Sequence, residues 1–95
     1  MNTPQIPIAL FRLGRIVATP NALSELSQQD MLSAIKRHQA GDWGELSEDD
    51  KRENQISLEK GFRPLSAYYA ENGTKFWIIT EADRSATTVL LPEDY

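Results

Sequence analysis

The sequence contains no cysteine and a single histidine, and these scarcities exclude whole classes of site. Without cysteine there is no disulfide scaffold, no thiolate zinc site and no cysteine nucleophile. One histidine, His38, cannot build a metal centre from several imidazoles. The carboxylates lack the spacing of a calcium loop, and the glycines lack the strand-to-helix context of a phosphate loop. We therefore expect neither a metal nor a cofactor.

Long hydrophobic runs and an excess of positive charge are also missing. No apolar stretch approaches the ~18 residues that cross a bilayer, and the N-terminus lacks the charged and apolar regions of a signal peptide. The absence of cysteine fits a reducing compartment, so we expect a cytoplasmic protein without a membrane partner. The formal net charge of −4 argues against broad nucleic-acid binding, which uses Lys and Arg at the phosphates.

What remains is the composition of an ordinary globular protein, with 40% hydrophobic and 25% charged residues in a chain of 95. We expect residues 1–95 to form a single domain around one modest core. The order of the predicted elements indicates an α+β fold, because helices precede a group of antiparallel strands. In this fold an N-terminal strand and two to three helices pack on a C-terminal antiparallel β-meander.

The first half of the chain predicts one strand and the helices. The β-prone runs Ile8–Phe11 and Arg15–Thr19 predict a strand bent at Gly14. Helices are predicted to begin where a hydroxyl can accept a free N–H of the first turn. These positions are Thr19 before Pro20, Ser27 and Ser47. The third helix has few apolar residues, so we expect it to lie on the surface.

The second half of the chain predicts the meander. Asn72-Gly73 between two β-rich runs indicates a two-residue hairpin turn. That turn pairs Tyr69 with Phe76, Tyr68 with Trp77 and Ala67 with Ile78. The predicted core side of the sheet consists of Leu65, Ala67, Tyr69, Phe76, Ile78, Val89 and Leu91, packed on Met31, Leu32 and Ile35. Trp43, between Gly41 and Gly44, is predicted to fill the edge of this core.

Two polar segments are candidates for binding a protein partner. Residues 42–53 carry six carboxylates against two cations, which indicates a solvated helix face or an acidic surface for a basic partner. The turn at residues 81–85 is predicted to be fixed by Asp83 in an Asx-turn, with Arg84 lying across the carboxylates. The candidate binding residues are Asp42, Glu48, Asp49, Glu53, Asp83, Arg84 and Ser85.

The alternative hypothesis is a metal-independent ribonuclease or toxin. In it His38 transfers a proton, an arginine stabilises the anion, and hydroxyl groups orient the substrate. The alternative catalytic residues are His38, Arg63, Ser66, Tyr68, Arg84 and Thr87. Nucleic acid is an expected partner only under this alternative. A structural interpretation also stands, since a histidine near a helix C-terminus is favoured by the helix dipole.

Several segments together form a distinctive pattern, and through them the chain resembles a group of short proteins from bacterial plasmids, phages and other mobile elements. The segments are Ile16–Pro20, Arg37-His38, Gly41–Gly44, Asp50 with Asn54, Arg63 with Leu65–Tyr68, and Trp77–Tyr95. Some members carry labels connected with type I restriction systems. The resemblance implies a protein that contacts host defence or plasmid-maintenance machinery. The order of elements is also similar to barnase-type and RelE-type folds, which is an analogy of fold alone.

Overall fold

A computed structural model describes residues 9–95, and it contains four strands and three α-helices in that part of the chain. The elements follow one another as β1 (Arg15–Ala18), α1 (Pro20–Glu25), α2 (Gln28–Gln39), α3 (Glu48–Lys60), β2 (Leu65–Tyr69), β3 (Lys75–Thr80) and β4 (Ala86–Leu90). A single 3-10 turn, Pro92–Asp94, follows β4. None of the helices in residues 9–95 is long and apolar enough to cross a membrane.

The three predicted helix starts are confirmed. The hydroxyl of Thr19 accepts the N–H of Ala22 at 3.1 Å. The hydroxyl of Ser27 accepts the N–H of Asp30 at 3.0 Å. The hydroxyl of Ser47 accepts the N–H of Asp50 at 3.1 Å. Each cap satisfies one of the free donors at a helix N-terminus, and this local chemistry is why the starts could be read from the sequence.

The predicted α+β fold is confirmed, with a sheet whose strand order is β1-β4-β3-β2. Strands β2, β3 and β4 form the expected antiparallel meander. The N-terminal strand β1 instead runs parallel to β4, pairing Arg15 with Ala86 and Ala18 with Val89, so the sheet is mixed. The predicted first strand is shorter than expected, because Leu10 and Phe11 are not in a strand and Ile8 lies outside the described residues.

The predicted hairpin register is wrong by one residue. The N–H of Ala70 bonds to the carbonyl of Thr74 at 2.8 Å, which leaves a three-residue loop between them. A two-residue type I′ turn needs a positive φ at both Asn72 and Gly73. Gly73 has a φ of 88°, but the φ of Asn72 is not positive, so this turn does not form. The observed pairs are Tyr69 with Lys75, Tyr68 with Phe76 and Ala67 with Trp77.

This shift changes which side of β2 faces the helices. Tyr68 is buried with Phe76 and Ile78 in the main core, whereas Tyr69 is 57% exposed. The predicted core positions Leu65, Ala67 and Tyr69 therefore belong to the other sheet face, because alternate residues of a strand point to opposite sides. Ile35 is buried and Met31 packs at the core edge as predicted. Leu32 is 52% exposed, so its assignment to the core is also wrong.

Candidate functional site

A chain of polar side chains runs through the interior around His38, which is fully buried. Helix α2 carries this histidine onto the sheet, where Nδ1 lies 2.5 Å from Oγ of Ser66 and Nε2 lies 2.9 Å from Oγ1 of Thr80. Thr80 is in turn 2.8 Å from the hydroxyl of Thr87. The hydroxyl of Thr87 donates to the carbonyl of Leu13 at 2.7 Å. This series of hydrogen bonds therefore connects α2, three strands and the segment before β1.

The hydrogen bond from Thr87 to Leu13 fixes the tautomer of the imidazole. Each hydroxyl has one proton to donate, and Thr87 uses its proton on the Leu13 carbonyl. Thr80 therefore donates to Thr87 and accepts from His38, so the ring proton sits on Nε2. Ser66 donates to the bare Nδ1. All members are satisfied by a neutral imidazole, and no donor is left over for a substrate.

Aromatic rings enclose the same imidazole. Phe11 and Trp43 meet it edge to face, with ring centroids 5.2 and 5.7 Å away, and they stack on each other. Trp43 is buried, which confirms that it fills the edge of the core. Burial, followed by the positive charge of Arg84, lowers the pKa of His38 from 6.5 to about 4. The structure therefore keeps His38 uncharged.

Arg84 is a structural clamp rather than a free cation. Its guanidinium donates to the carbonyls of Phe62 at 2.7 Å, Glu81 at 3.1 Å, Ala82 at 3.2 Å and Ser57 at 3.3 Å. The predicted contact of Arg84 with the carboxylates is thus wrong, because backbone carbonyls occupy its donors. Its φ of 61° directs the side chain back across the loop.

The rest of the 81–85 turn is as predicted. Asp83 accepts the N–H of Ser85 at 3.0 Å, which is the expected Asx-turn. Hydrogen bonding from the hydroxyl of Ser85, and then from this N–H, lowers the pKa of Asp83. Asp83, Arg84 and Ser85 therefore fix the shape of the turn, in which Asp83 and Ser85 are exposed.

The six residues of the ribonuclease hypothesis do not share an open cleft. Ser66 bonds to His38 in the interior, and Thr87 is connected to His38 through Thr80. Tyr68 instead donates its hydroxyl to the carbonyl of Asp42 at 2.6 Å. Arg63 lies on the surface, 3.7 Å from Glu81. The hypothesis stays a prediction, and this geometry does not favour it because the proposed proton carrier is closed to solvent.

The acidic segment is exposed, and its carboxylates differ in their partners. Asp42 accepts from Arg37 at 2.7 and 3.2 Å, and this ion pair lowers the pKa of the carboxyl. Glu48 lies 3.6 Å from Lys51, and Asp49 pairs with Arg52. The predicted residues Asp42, Glu48 and Asp49 are therefore partly neutralised along their own surface. Exposed pairs of this kind contribute little to stability.

Asp50 and Glu53 differ from these three because no cation lies within ion-pair distance of either in residues 9–95. Both line a shallow cavity of about 320 Å³ between α3 and β2, which we call the α3 groove. Its lining consists of Leu46, Asp50, Glu53, Asn54, Ser57, Arg63 and Leu65. The sequence predicted Glu53 as a binding residue and named Asp50 only as part of the mobile-element pattern. It did not predict the groove, because the groove depends on how α3 docks.

Asn54 explains how the polar helix α3 docks on the sheet. Its amide donates to the carbonyl of Leu65 at 2.7 Å and accepts the N–H of the same residue at 3.0 Å. Ser57 bonds to the carbonyl of Glu53 at 2.9 Å. The buried polar lining residues Asn54 and Ser57 are thus internally satisfied, whereas the carboxylates of Asp50 and Glu53 are exposed and open to a ligand. In the described part of the chain, no three His, Asp or Glu side chains are grouped to hold a metal ion.

Comparison of the chain with protein-family models, with curated proteins and with solved structures finds no match. The class of protein is therefore defined by its own architecture, an α+β domain with a mixed four-stranded sheet. The resemblance to mobile-element proteins stays a prediction.

Proposed function

We propose that this protein is a cytoplasmic binding protein that holds a basic segment of a protein partner in the α3 groove. The observation that carries the proposal is the pair of exposed carboxylates, Asp50 and Glu53, in the lining of a cavity of about 320 Å³. The cation of that lining, Arg63, lies 3.7 Å from Glu81. Cavities of this size accommodate a side chain or small ligand. The net charge of −4 favours approach of a basic partner over a long range.

The groove matches the two parts of a long basic side chain. Leu46 and Leu65 offer apolar contact to a methylene stem, and the carboxylates on α3 accept from its charged head. An arginine head suits the site better than a lysine head, because a planar guanidinium bonds to carboxylates through two N–H groups. Glu48 and Asp49 extend the negative surface along the first turn of α3.

The likeness to mobile-element proteins supports a class of partner. Within this proposal the partner belongs to the host defence or plasmid-maintenance machinery, and binding modulates it without catalysis. Nothing in the geometry around His38 favours catalysis as a second function.

Capture from a bacterial lysate, quantified by mass spectrometry, tests the proposal. We expect the unmodified chain to retain a partner in stoichiometric amount, and the double variant Asp50→Lys with Glu53→Lys to lose it. The matched control is the double variant Glu59→Lys with Glu71→Lys, since it makes the same total charge change at two exposed positions outside the groove. Circular dichroism of all three proteins should be the same.

A second measurement uses a defined probe. The fluorescence anisotropy of a labelled arginine-rich peptide should rise as the unmodified protein is added, and salt should weaken this binding. Addition of the double variant Asp50→Lys with Glu53→Lys should leave the anisotropy unchanged. Equal retention of the partner by the double variant and by the unmodified chain would overturn the proposal, as would the absence of any stoichiometric partner.

A further inference from the structure

The two edges of the sheet differ in whether their outward backbone groups have hydrogen-bond partners. At the β2 edge, Asn54 holds both outward backbone groups of Leu65, and the segment around Gly44 holds those of Ala67. These contacts cover that edge at Leu65 and Ala67, over most of the length of β2. An exposed row of unpaired groups is a template for another strand, and proteins usually block it.

The β1 edge has no such cover within residues 9–95. Arg15 and Thr19 donate their N–H groups toward the β4 side. The acceptors are the carbonyl of Ser85, directly before β4, at 2.9 Å and that of Val89 at 3.0 Å. Because backbone groups alternate along a strand, the N–H and C=O groups of Ile16 and Ala18 point away from the sheet. Among the described residues, none bonds to these outward groups.

An apolar groove of about 240 Å³ lies beside this edge, between β1 and the first two helices. Its lining includes Ile16, Ala18, Leu23, Met31, Leu32 and Ile35. Ile16 is 49% exposed, Leu23 60% and Leu32 52%. A strand added at β1 would cover these side chains and satisfy the outward backbone groups together.

We infer that the occupant is a second copy of this chain, with β1 of one copy antiparallel to β1 of the other around a two-fold axis at Val17. In that register Ile16 of each copy exchanges two backbone hydrogen bonds with Ala18 of the other. The axis is perpendicular to the sheet, so the helices of both copies lie on the same side. Leu23 and Leu32 of the two copies then approach one another across the axis.

Charge complementarity supports a second copy over another strand. Arg15 is exposed at the start of β1. At the other end, the hydroxyl of Thr19 donates to Asp94 at 2.6 Å, which places a carboxylate there. Arg15 and Thr19 are on one sheet face, and the antiparallel register sets Arg15 of each copy opposite Thr19 of the other. Each basic end therefore meets an acidic end, and opposite charges across a strand pair stabilise it.

The dimer leaves the α3 groove free, because that groove lies beside β2 at the far edge of the sheet. The inference is thus independent of the proposed function, and either one can fail alone.

Light scattering after size exclusion tests the inference on the full chain. We expect a mass twice the 10.7 kDa of one chain and conversion to the monomer in Ile16→Lys. Arg15→Glu should shift the equilibrium toward monomer, whereas Arg52→Glu, the same charge change on α3, should leave it in place. Circular dichroism identifies any variant that has lost its fold.

A cysteine placed on the axis gives a second test, since the natural chain has none. Under mild oxidation Val17→Cys should form a disulfide-linked dimer rapidly, because a non-hydrogen-bonded antiparallel pair brings the two residues close together. Gln29→Cys is exposed on α2 and should cross-link slowly. A monomeric full chain at high concentration, as when another segment covers the edge, would overturn the inference. So would equal cross-linking of the two cysteine variants.

Discussion

The imidazole of His38 is neutral because every hydrogen-bonding position around it is filled and water is kept away. Protonation would place a charge next to the Phe11 and Trp43 rings and within the field of Arg84. Ser66 would also have to reverse its hydroxyl, because it now donates to Nδ1. Both effects disfavour the charged form in the folded chain.

Acid should therefore destabilise the fold through this residue. The pKa falls from 6.5 in the unfolded chain to about 4 in the folded chain. The unfolded chain then binds more protons between these values, so stability is complete above pH 6.5 and decreases as pH falls toward 4. The loss should reach about 3 kcal/mol, by the conversion of a pKa difference into free energy. Urea unfolding across this pH range measures it.

His38→Gln is the control for this prediction, since its amide retains a donor and an acceptor. Its stability should be lower throughout but nearly flat between pH 6.5 and 4. Asp42 and Asp94 also have lowered pKa values. Their contributions to the free energy of unfolding are lost at still lower pH, so they do not obscure the effect of His38. Parallel pH profiles for the two proteins would contradict the assigned role of His38.

Trp43 gives a second prediction for a single residue. Trp43→Ala should lower the free energy of unfolding by about 3–5 kcal/mol, since it removes a large buried side chain. The variant Trp77→Phe retains Trp43 as its one indole, and its native fluorescence should be shifted to shorter wavelength. Emission like that of free tryptophan would show that the ring is exposed.

The sequence predicted burial of Trp43 but not the carbonyl partners of Arg84, and it grouped Ser66 and Thr87 with His38 only under the ribonuclease hypothesis. Trp43 lies between two glycines, and its size alone favours burial. Ser66 and Thr80 lie 28 and 42 residues from His38, so no local spacing connects them. Arg84 was expected on neighbouring carboxylates, whereas four backbone carbonyls hold it.

Among the elements, helix α3 is held on the sheet by the two hydrogen bonds between Asn54 and Leu65 more than by apolar packing. Its buried residues are Asn54 and Ser57, both polar. Asn54→Ala should cost about 1–3 kcal/mol, because it leaves the backbone groups of Leu65 without their partners. Chemical unfolding measures the loss, and hydrogen exchange at the Leu65 amide should become faster.

Gln55→Ala is the matched control, since the side chain is exposed on the same helix. Its stability should change little, because surface substitutions away from special features are usually near neutral. If the two alanine variants were equally stable, another contact would have to hold α3.

At this scale the helices were predictable and the hairpin register was not. A cap is a contact between residues three apart, so the sequence shows both partners together. The loop length depends instead on whether Asn72 adopts the left-handed conformation beside Gly73, and a single φ value separates the two registers.

For the whole molecule, the observed register predicts which side chains carry stability. Phe76 is buried in the main core, and Phe76→Ala should cost about 3–5 kcal/mol. Tyr69→Ala is the comparison, since its ring is on the open side of the same hairpin. Urea midpoints of the two variants should differ clearly, and similar midpoints would mean that the core has been assigned to the wrong face.

The mixed sheet could not be derived from the sequence, although its α+β class could. The meander strands are neighbours in sequence, so local turns suggest their pairing. Strand β1 finds its partner across the length of the domain, with Arg15 beside Ala86. The two come together only when the helices between them have folded, since α1 and α2 pack on the core face of the sheet.

The pairing of β1 with β4 also has a consequence for biosynthesis. Because β4 separates β1 from β3, the first strand has no place in the sheet until residues 86–90 have been translated. Until then β1 lacks the partner to which it is bonded in the folded sheet. Sheet completion becomes a late, long-range event, and ribosomal pausing before Ala86 would prolong exposure of an aggregation-prone segment to chaperones and proteases.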